Sequence, residues 1–409
     1  MKRIIVIGGG ASGLVSAIYA SLSGYKVTIL EKNNNLGKKI LITGNGKCNY
    51  WNQNISLNHY NTSEKDKLSK IIRDDNKKEI LKLFNKLGIL PKIRDGYYYP
   101  YSNQATSIQT ALIKECEVLG VEIITNCEVL NIKKDSDNFM ISSIKGTYKA
   151  NKVIISTGSY ACPKTGSTGD GYRFLNNFGH HIITPLPALV QLKSNEKFLK
   201  EWHGIRSDVQ VTLIENGKEI KKEIGEIQLT DYGVSGICIF NLSSKVSRGL
   251  KQKKKEDIII NFLYPFNITN EKEFINFMNE RNITVKNRTI SDLLDGILNY
   301  KLINLILKLS KIKREETWKD ISDSKKNILS NYLTKFAVNI TDTNSFEASQ
   351  TTTGGIPLSE ININTMESLK CKNLYITGEL LDVDGDCGGY NLAFAWLTGM
   401  LAGTGVKHD

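Results

Sequence analysis

The stretch RIIVIGGGASGLVSAIYASLSGYKVTILE, residues 3–31, decides the fold. Its first five residues are mostly Ile and Val with little alternation, as expected of a parallel strand buried on both faces. Gly8, Gly10 and Gly13 then form a Gly-x-Gly-x-x-Gly turn, Leu14 to Ser23 reads as a helix stopped by Gly24, and Lys26 to Leu30 reads as a second strand ending in Glu31. Gly8 permits the tight turn, Gly10 lets backbone approach a pyrophosphate, and Gly13 lets helix and strand pack closely. Ala11 and Ser12 open the helix, whose N-terminus faces the phosphate charge. Glu31 follows Gly13 by 18 residues, where a carboxylate accepts from the ribose hydroxyls. Strand, glycines, helix, strand and acid in this order specify a dinucleotide site, and the acid would repel a 2′-phosphate.

Working outward, the chain of 409 residues is long enough for two or three structural units, and its 40% hydrophobic and 23% charged residues exclude full disorder. The formal charge is +12, with 45 of the 54 basic residues lysine, which suits either a polyanion partner or a general compositional bias. Cys48, Cys116, Cys127, Cys162, Cys238, Cys371 and Cys387 are scattered without a C-x-x-C pair, so neither a disulfide framework nor a zinc site is expected. His180, His181 and His203 show no metal-ligand spacing and no recognisable orienting partner. No metal and no catalytic role are assigned to them. No secretory leader is legible, and a cytoplasmic location is the expectation. The uncharged run Cys387 to Val406 is rich in glycine and reads as a buried helix rather than a membrane span.

Later segments repeat the first motif's design. Lys152 to Ser156 is an apolar strand entering Thr157-Gly158, and Asn373 to Ile376 leads into Thr377-Gly378-Glu379. Asp382 to Gly385 and Gly388 to Asn391 open the last helix. No second Gly-x-Gly-x-x-Gly lies between a strand and a helix, because Gly166, Gly169 and Gly171 have no buried strand before them. A dedicated nicotinamide domain is therefore not expected, and NAD(P)H is expected only as a transient reductant.

With these segments in view, the sequence resembles the two-dinucleotide-binding-domain flavoproteins, and among them the bacterial aminoacetone-oxidase-like, BaiN-like FAD-binding family. The resemblance rests on GGGASGL (8–14), TGNGKCN (43–49), YPYSNQA (99–105), TGSTGDGY (165–172), TTGGIPLSEIN (352–362), TMES (365–368) and LYITGELLDVDGDCGGYNLAFAW (374–396). Departures are Lys47 for a usual Arg, Asn45 for a favoured Gly, and Tyr97 where Arg is common.

The resemblance implies an α/β fold: a discontinuous Rossmann-like FAD domain over 1–188 and 346–409, an inserted β-rich, barrel-like domain over 189–265, and a small helical domain over 266–345. The residues agree. From Ala188 to about Tyr264 there are short alternating runs with an Asn216-Gly217 turn signal, and from Glu271 to Leu333 apolar residues recur at helical spacing. FAD contacts are expected from Gly8, Gly10, Ala11, Ser12, Gly13 and Glu31 at the first motif. Lys39, Gly46, Cys48 and Asn49 are expected to add to them, together with Thr157 and Gly158. From the C-terminal segment, Gly378, Glu379, Asp382, Gly389, Asn391 and Leu392 are expected, with Asn391 and the amides of Gly389 and Leu392 at the flavin's pyrimidine edge.

Cys48 is the candidate proton donor, with Lys47 lowering its pKa. Ser102 is expected to cap the helix that runs to about Leu119. Tyr99 and Tyr101 belong to an aromatic run that could stack a planar substrate or line the core. Members of the resembled family are linked to aminoacetone oxidation, to bile-acid-type reductions, and to reduction of a uridine in large-subunit ribosomal RNA to dihydrouridine.

Charge favours the RNA. Residues 1–190 carry +11, 191–350 carry +5 and 351–409 carry −4, and the acid-free stretch 241–255 holds Lys245, Arg248, Lys251, Lys253, Lys254 and Lys255 as a docking candidate for ribosomal RNA or its precursor. The alternatives are an oxidase or enone reductase of a small molecule, and an RNA-binding flavoprotein whose FAD is structural.

Overall fold

The computed structural model describes residues 2–285 and 287–407. The chain divides into two compact units, one of residues 1–186 with 349–409 and one of residues 187–348.

In the first unit the strand β1 (Arg3–Ile7) leads into the helix α1 (Ala11–Leu22) and the strand β2 (Lys26–Leu30). β1 lies centrally in a seven-stranded sheet. On one side are β2 and the strand Glu122–Ile124. On the other are Lys152–Ile155, Leu374–Ile376 and two short antiparallel strands, Glu367–Ser368 and Ile361–Asn362. The pairings Ile7 with Leu30, Ile7 with Ile155, and Ile155 with Ile376 are parallel, so these strands end together. Their apolar residues are buried on both faces, as a parallel sheet covered by helices requires. Chain connections leave β1 in opposite directions, which opens a crevice at the strands' C-terminal ends.

The last helix, Tyr390–Gly405, packs on α1 through small residues. A Cβ on Gly399 would stand 2.5 Å from the Ser12 carbonyl oxygen, and one on Gly403 would stand 2.5 Å from that of Ser16. The run Cys387 to Val406 is thus spent on a buried helix. No helix among the described residues is long and apolar enough to cross a membrane. At the other end of this helix, the buried Lys152 ammonium and the Tyr25 hydroxyl both donate to the Val406 carbonyl, at 2.8 and 2.7 Å. A cation there offsets the helix's negative end.

The second unit is built on a seven-stranded antiparallel sheet. Its long hairpin joins Arg206–Glu215 to Lys218–Leu229 through Asn216 and Gly217, both with positive φ, as a two-residue hairpin turn requires. The two terminal strands of the order, Phe336–Ile340 and Asp342–Thr343, are separated only by Thr341, so the sheet curls until its edges adjoin. Helices Glu271–Thr284, Tyr300–Leu309 and Asp323–Thr334 share one hydrophobic core with that sheet, around Trp202, Phe262 and Phe336. The β-rich and helical segments, expected as separate domains, therefore form one body.

Two local expectations are corrected. The expected β-rich segment contains a helix, Ile237–Lys251. Ile239, Leu242 and Val246 give that helix a buried face at helical spacing. Ser102 does not cap its helix, which begins at Ala105 with Gln104 at the cap position. The Ser102 hydroxyl instead bonds the Ser107 hydroxyl at 2.7 Å.

Candidate functional site

Three turns converge at the C-terminal ends of the parallel strands: Gly8 to Gly13 after β1, Thr157-Gly158 after Lys152–Ile155, and Thr377-Gly378 after Leu374–Ile376. A chain of hydroxyls joins them. Ser156 Oγ and Thr377 Oγ1 are 2.7 Å apart, and Thr377 donates to Ser12 Oγ at 3.1 Å. Gly8 has φ +99, and a Cβ there would lie 2.5 Å from the Ser156 carbonyl oxygen. A Cβ on Gly13 would lie 2.0 Å from the Gly8 carbonyl oxygen. At Gly10, the N-cap of α1, a Cβ would meet nothing within 4 Å, and no side chain caps the helix amides. The loop thus leaves an open backbone cradle at a helix N-terminus, which suits a pyrophosphate.

Beside it lies a cleft, open to solvent and lined by Gly8, Glu31, Lys32, Val129, Thr157 and Phe174 among others. Glu31 accepts from the Gly9 amide at 2.7 Å and from the Asn33 backbone and side-chain nitrogens at 2.8 and 2.7 Å. A carboxylate offers about four acceptor sites, so one remains for a ribose hydroxyl. Cradle, acidic end and cleft fit the diphosphate and adenosine of FAD. Gly8, Gly10, Ala11, Ser12, Gly13, Glu31, Thr157 and Gly158 are brought together here.

Lys39 and Glu379 meet each other: Lys39 Nζ lies 2.7 Å from Glu379 Oε2, and Glu379 Oε1 accepts from the Thr351 hydroxyl at 3.0 Å. A Cβ on Gly158 would lie 3.9 Å from Glu379 Oε2, and one on Gly378 would lie 2.8 Å from Ser12 Oγ, so this pair adjoins the three turns. Asp382 is buried and accepts from the Gly354 amide at 3.1 Å, which fixes an inner strand.

At the N-terminus of the last helix, Gly389 has φ +91, and a Cβ on it would strike the Trp51 carbonyl at 2.8 Å. No side chain caps this helix, so its first amides, those of Tyr390, Asn391 and Leu392, lack intrahelical partners. The Asn391 side chain is engaged close by in the chain. Its oxygen accepts from Gly385 N and its nitrogen donates to Gly385 O, each at 2.8 Å, because it ties off the preceding turn. Asn49 orients its amide nitrogen to donate to the carbonyls of Trp51 and Tyr98, at 2.8 and 3.1 Å. Gly46 is exposed at the loop tip, with φ +80.

Cys48 does not carry the expected acidic thiol. It is fully buried, and burial pushes the thiol up to about 12, against a smaller opposing pull from Thr43. A neighbouring lysine in the sequence does not offset loss of water around the sulfur.

The aromatic run splits by strand alternation within Tyr97–Pro100. Tyr98 turns to Tyr50, edge to face at 6.2 Å, while Tyr99 lies over the loop at Gly44 and Tyr97 packs against Gly388. Tyr101 is 68% exposed, with the Lys92 ammonium 5.7 Å from its ring centre.

The basic stretch is helical only as far as Lys251. Lys245, Arg248 and Lys251 ride the helix Ile237–Lys251, with Lys245 and Arg248 half-buried. Lys254 pairs with Glu215 at 2.8 Å and Lys255 with Asp257 at 3.1 Å, while Lys253 turns the chain with φ +59. Glu215, remote in sequence, and Asp257, close by, thus answer two of its charges.

Two histidines have partners that local spacing could not reveal. His180 is buried between Glu360, 2.6 Å from Nδ1, and Ser368, 2.7 Å from Nε2. Burial lowers its pKa, partly offset by Glu360. His59 lies beside the last helix: its ring stacks on Tyr390 at 4.4 Å, and Nδ1 is 3.1 Å from Asp386 Oδ2. These partners lie 180 and 327 residues away along the chain.

A family model described as "HI0933-like protein Rossmann domain" matches residues 2–405. The chain is 36% identical over 405 residues to the 3-dehydro-bile acid delta(4,6)-reductase of Clostridium scindens, covering 98% of both chains. It is 26% identical over 394 residues to the ribosomal RNA dihydrouridine synthase of Escherichia coli, covering 96% of this chain and 94% of that one. Among solved structures, the 3-ketosteroid-delta4-(5alpha)-dehydrogenase of Rhodococcus jostii RHA1 aligns over 100% of this chain and 97% of that one, at 12% identity and a TM-score of 0.48. With the cradle, the acid and three converging turns in place, the chain belongs to the HI0933-like Rossmann-domain family of flavoprotein oxidoreductases.

Proposed function

We propose that the protein is an FAD-dependent reductase of a carbon–carbon double bond conjugated with a ketone, in a flat small molecule of steroid-like shape. The observation that carries this reading is the 36% identity, spread over 98% of both chains, to a bile-acid delta(4,6)-reductase. The ribosomal RNA reading, first favoured by charge, takes second place. It rests on relatives at 26% identity and on a basic stretch in which Lys254 and Lys255 are already paired with acids.

When bound, the flavin supplies hydride. The chain's part is to hold and surround it. The Gly8 to Gly13 loop would hold the diphosphate through backbone amides, and Glu31 would hold the ribose. The amides of Tyr390 to Leu392 would present partial positive charge to the ring edge that gains electron density on reduction. Tyr97 would flank a planar substrate near that helix end, its apolar ring face and polar hydroxyl suiting a fused ring that bears a carbonyl. NAD(P)H is proposed as a transient donor.

The test is product analysis. Purified holoprotein, NADH or NADPH and a 3-oxo-delta(4,6) steroid are incubated without oxygen, and the product is weighed by mass spectrometry. A gain of two hydrogens is expected. An unchanged steroid with both nicotinamides would refute the reading.

A further inference from the structure

We infer that His59, held by Asp386, donates the proton that completes double-bond reduction at the N-terminus of the last helix. The inference rests on the substrate reading proposed above and adds a residue to it.

The geometry is that of a base with its orienter. Asp386 grips His59 twice: its carboxylate lies 3.1 Å from Nδ1, and its backbone amide donates to the His59 carbonyl at 2.8 Å. The ring is sandwiched against Tyr390, nearly parallel at 17°. The Asp386 side chain is only 9% exposed whereas that of His59 is 35% exposed. The buried carboxylate therefore fixes the Nδ1–H tautomer, and Nε2 is left on the open side without a hydrogen-bond partner among the described residues. Tyr390 opens the last helix, whose free amides are those assigned above to the redox end of the cofactor.

Reduction of the conjugated bond takes one hydride and one proton. The hydride, which carries both electrons, would come from the flavin, whose two-electron oxidation balances the step. The proton comes from His59: its Nε2–H bond breaks as a C–H bond forms at the carbon next to the carbonyl, and the enolate's electron pair makes that bond. The imidazole is left neutral with Nδ1–H on Asp386, and solvent returns the proton to Nε2.

Three tyrosines, a thiol and an ammonium surround the pair. Tyr390 lies under the ring, Tyr60 and Tyr97 are within electrostatic reach of Asp386, and Cys387 adjoins Tyr97. Burial raises the pKa of all three tyrosines, so they stay neutral where an imidazole titrates. The Lys65 ammonium is occupied by the carbonyls of Leu57 and Tyr60.

The experiment compares wild type with His59→Asn and Asp386→Asn. Isotopically labelled histidine is followed by NMR across pH in the oxidised holoprotein, and the reduced proteins are mixed with a 3-oxo-delta(4,6) steroid without oxygen. The wild-type His59 resonances should report an Nδ1–H tautomer, lost in Asp386→Asn. His59→Asn should keep its FAD and melting temperature yet reoxidise roughly 100-fold more slowly or worse, and lose the alkaline limb of the wild-type pH profile. Asp386→Asn should slow the step less and move that limb. Wild-type reoxidation matched by His59→Asn, or an Nε2–H tautomer in wild type, overturns the inference while leaving the substrate reading intact. Failure of the steroid to reoxidise wild type overturns the substrate reading and this inference together.

Discussion

Lys39 Nζ lies 2.7 Å from Glu379 Oε2 although the residues are 340 positions apart in the chain. The pair ties the first crossover to the C-terminal segment at the crevice where the three turns meet. Both side chains are largely buried, so breaking the pair leaves a poorly solvated charge. Lys39→Met should leave the Glu379 carboxylate unbalanced beside an anionic cofactor and weaken FAD binding about tenfold. Fluorescence titration of the apoprotein with FAD measures this. Lys39→Met with wild-type affinity would show that the pair has no bearing on the cofactor.

The contact of the last helix with α1 leaves no room for side chains at Gly399 and Gly403. Gly399→Val should destabilise the fold by about 1–3 kcal/mol, because the added atoms meet backbone that cannot step aside. Both helices reach the cofactor site at their N-termini, so FAD content should fall with stability. Thermal unfolding followed by flavin release reads both.

Cys48 offers a negative prediction. With its thiol pushed up to about 12 by burial, it carries almost no thiolate near neutral pH and should resist iodoacetamide until the protein unfolds. Cys48→Ala should retain reductase turnover within about twofold while losing about 1–3 kcal/mol of stability. Rapid alkylation of the native protein at Cys48 would contradict this account of its surroundings.

How far the site could be read from sequence depended on how local its parts are. The Gly8 to Gly13 cradle and Glu31 are legible because one strand–turn–helix–strand unit contains the whole device. The turns at Thr157 and Thr377 are legible because each repeats that unit's strand ending. His59 with Asp386 and Lys39 with Glu379 left no trace in spacing, since only the tertiary fold brings them together. The Ile237–Lys251 helix was hidden by the short strands around it. Just beyond it, the pair of Lys254 with Glu215 left no trace in spacing because Glu215 stands on another strand.

In the second unit, Glu256 is buried beside Glu215, and its carboxyl is pushed up to about 7 by burial first and then by Glu215, with Lys254 opposing. The ordinary value for the unfolded chain is 4.5. Between these values the folded state holds the proton more tightly, so this group makes stability fall as pH rises from about 4.5 to about 7 and leaves it level above. Glu256→Gln should remove that contribution. Its stability relative to wild type should improve with pH across the window by on the order of 1–3 kcal/mol, as read from urea unfolding at acidic and neutral pH. A difference that does not change with pH would mean that Glu256 titrates normally.

The central claim, a flavin that reduces a small conjugated ketone, is tested most directly by the oxidative half-reaction. Holoprotein reduced without oxygen is mixed in a stopped-flow spectrometer with a 3-oxo-delta(4,6) steroid or, separately, with unmodified large-subunit ribosomal RNA, and the return of oxidised flavin absorbance is timed. The account predicts rapid return with the steroid and none above background with the RNA. Return with the RNA and not with the steroid would contradict it.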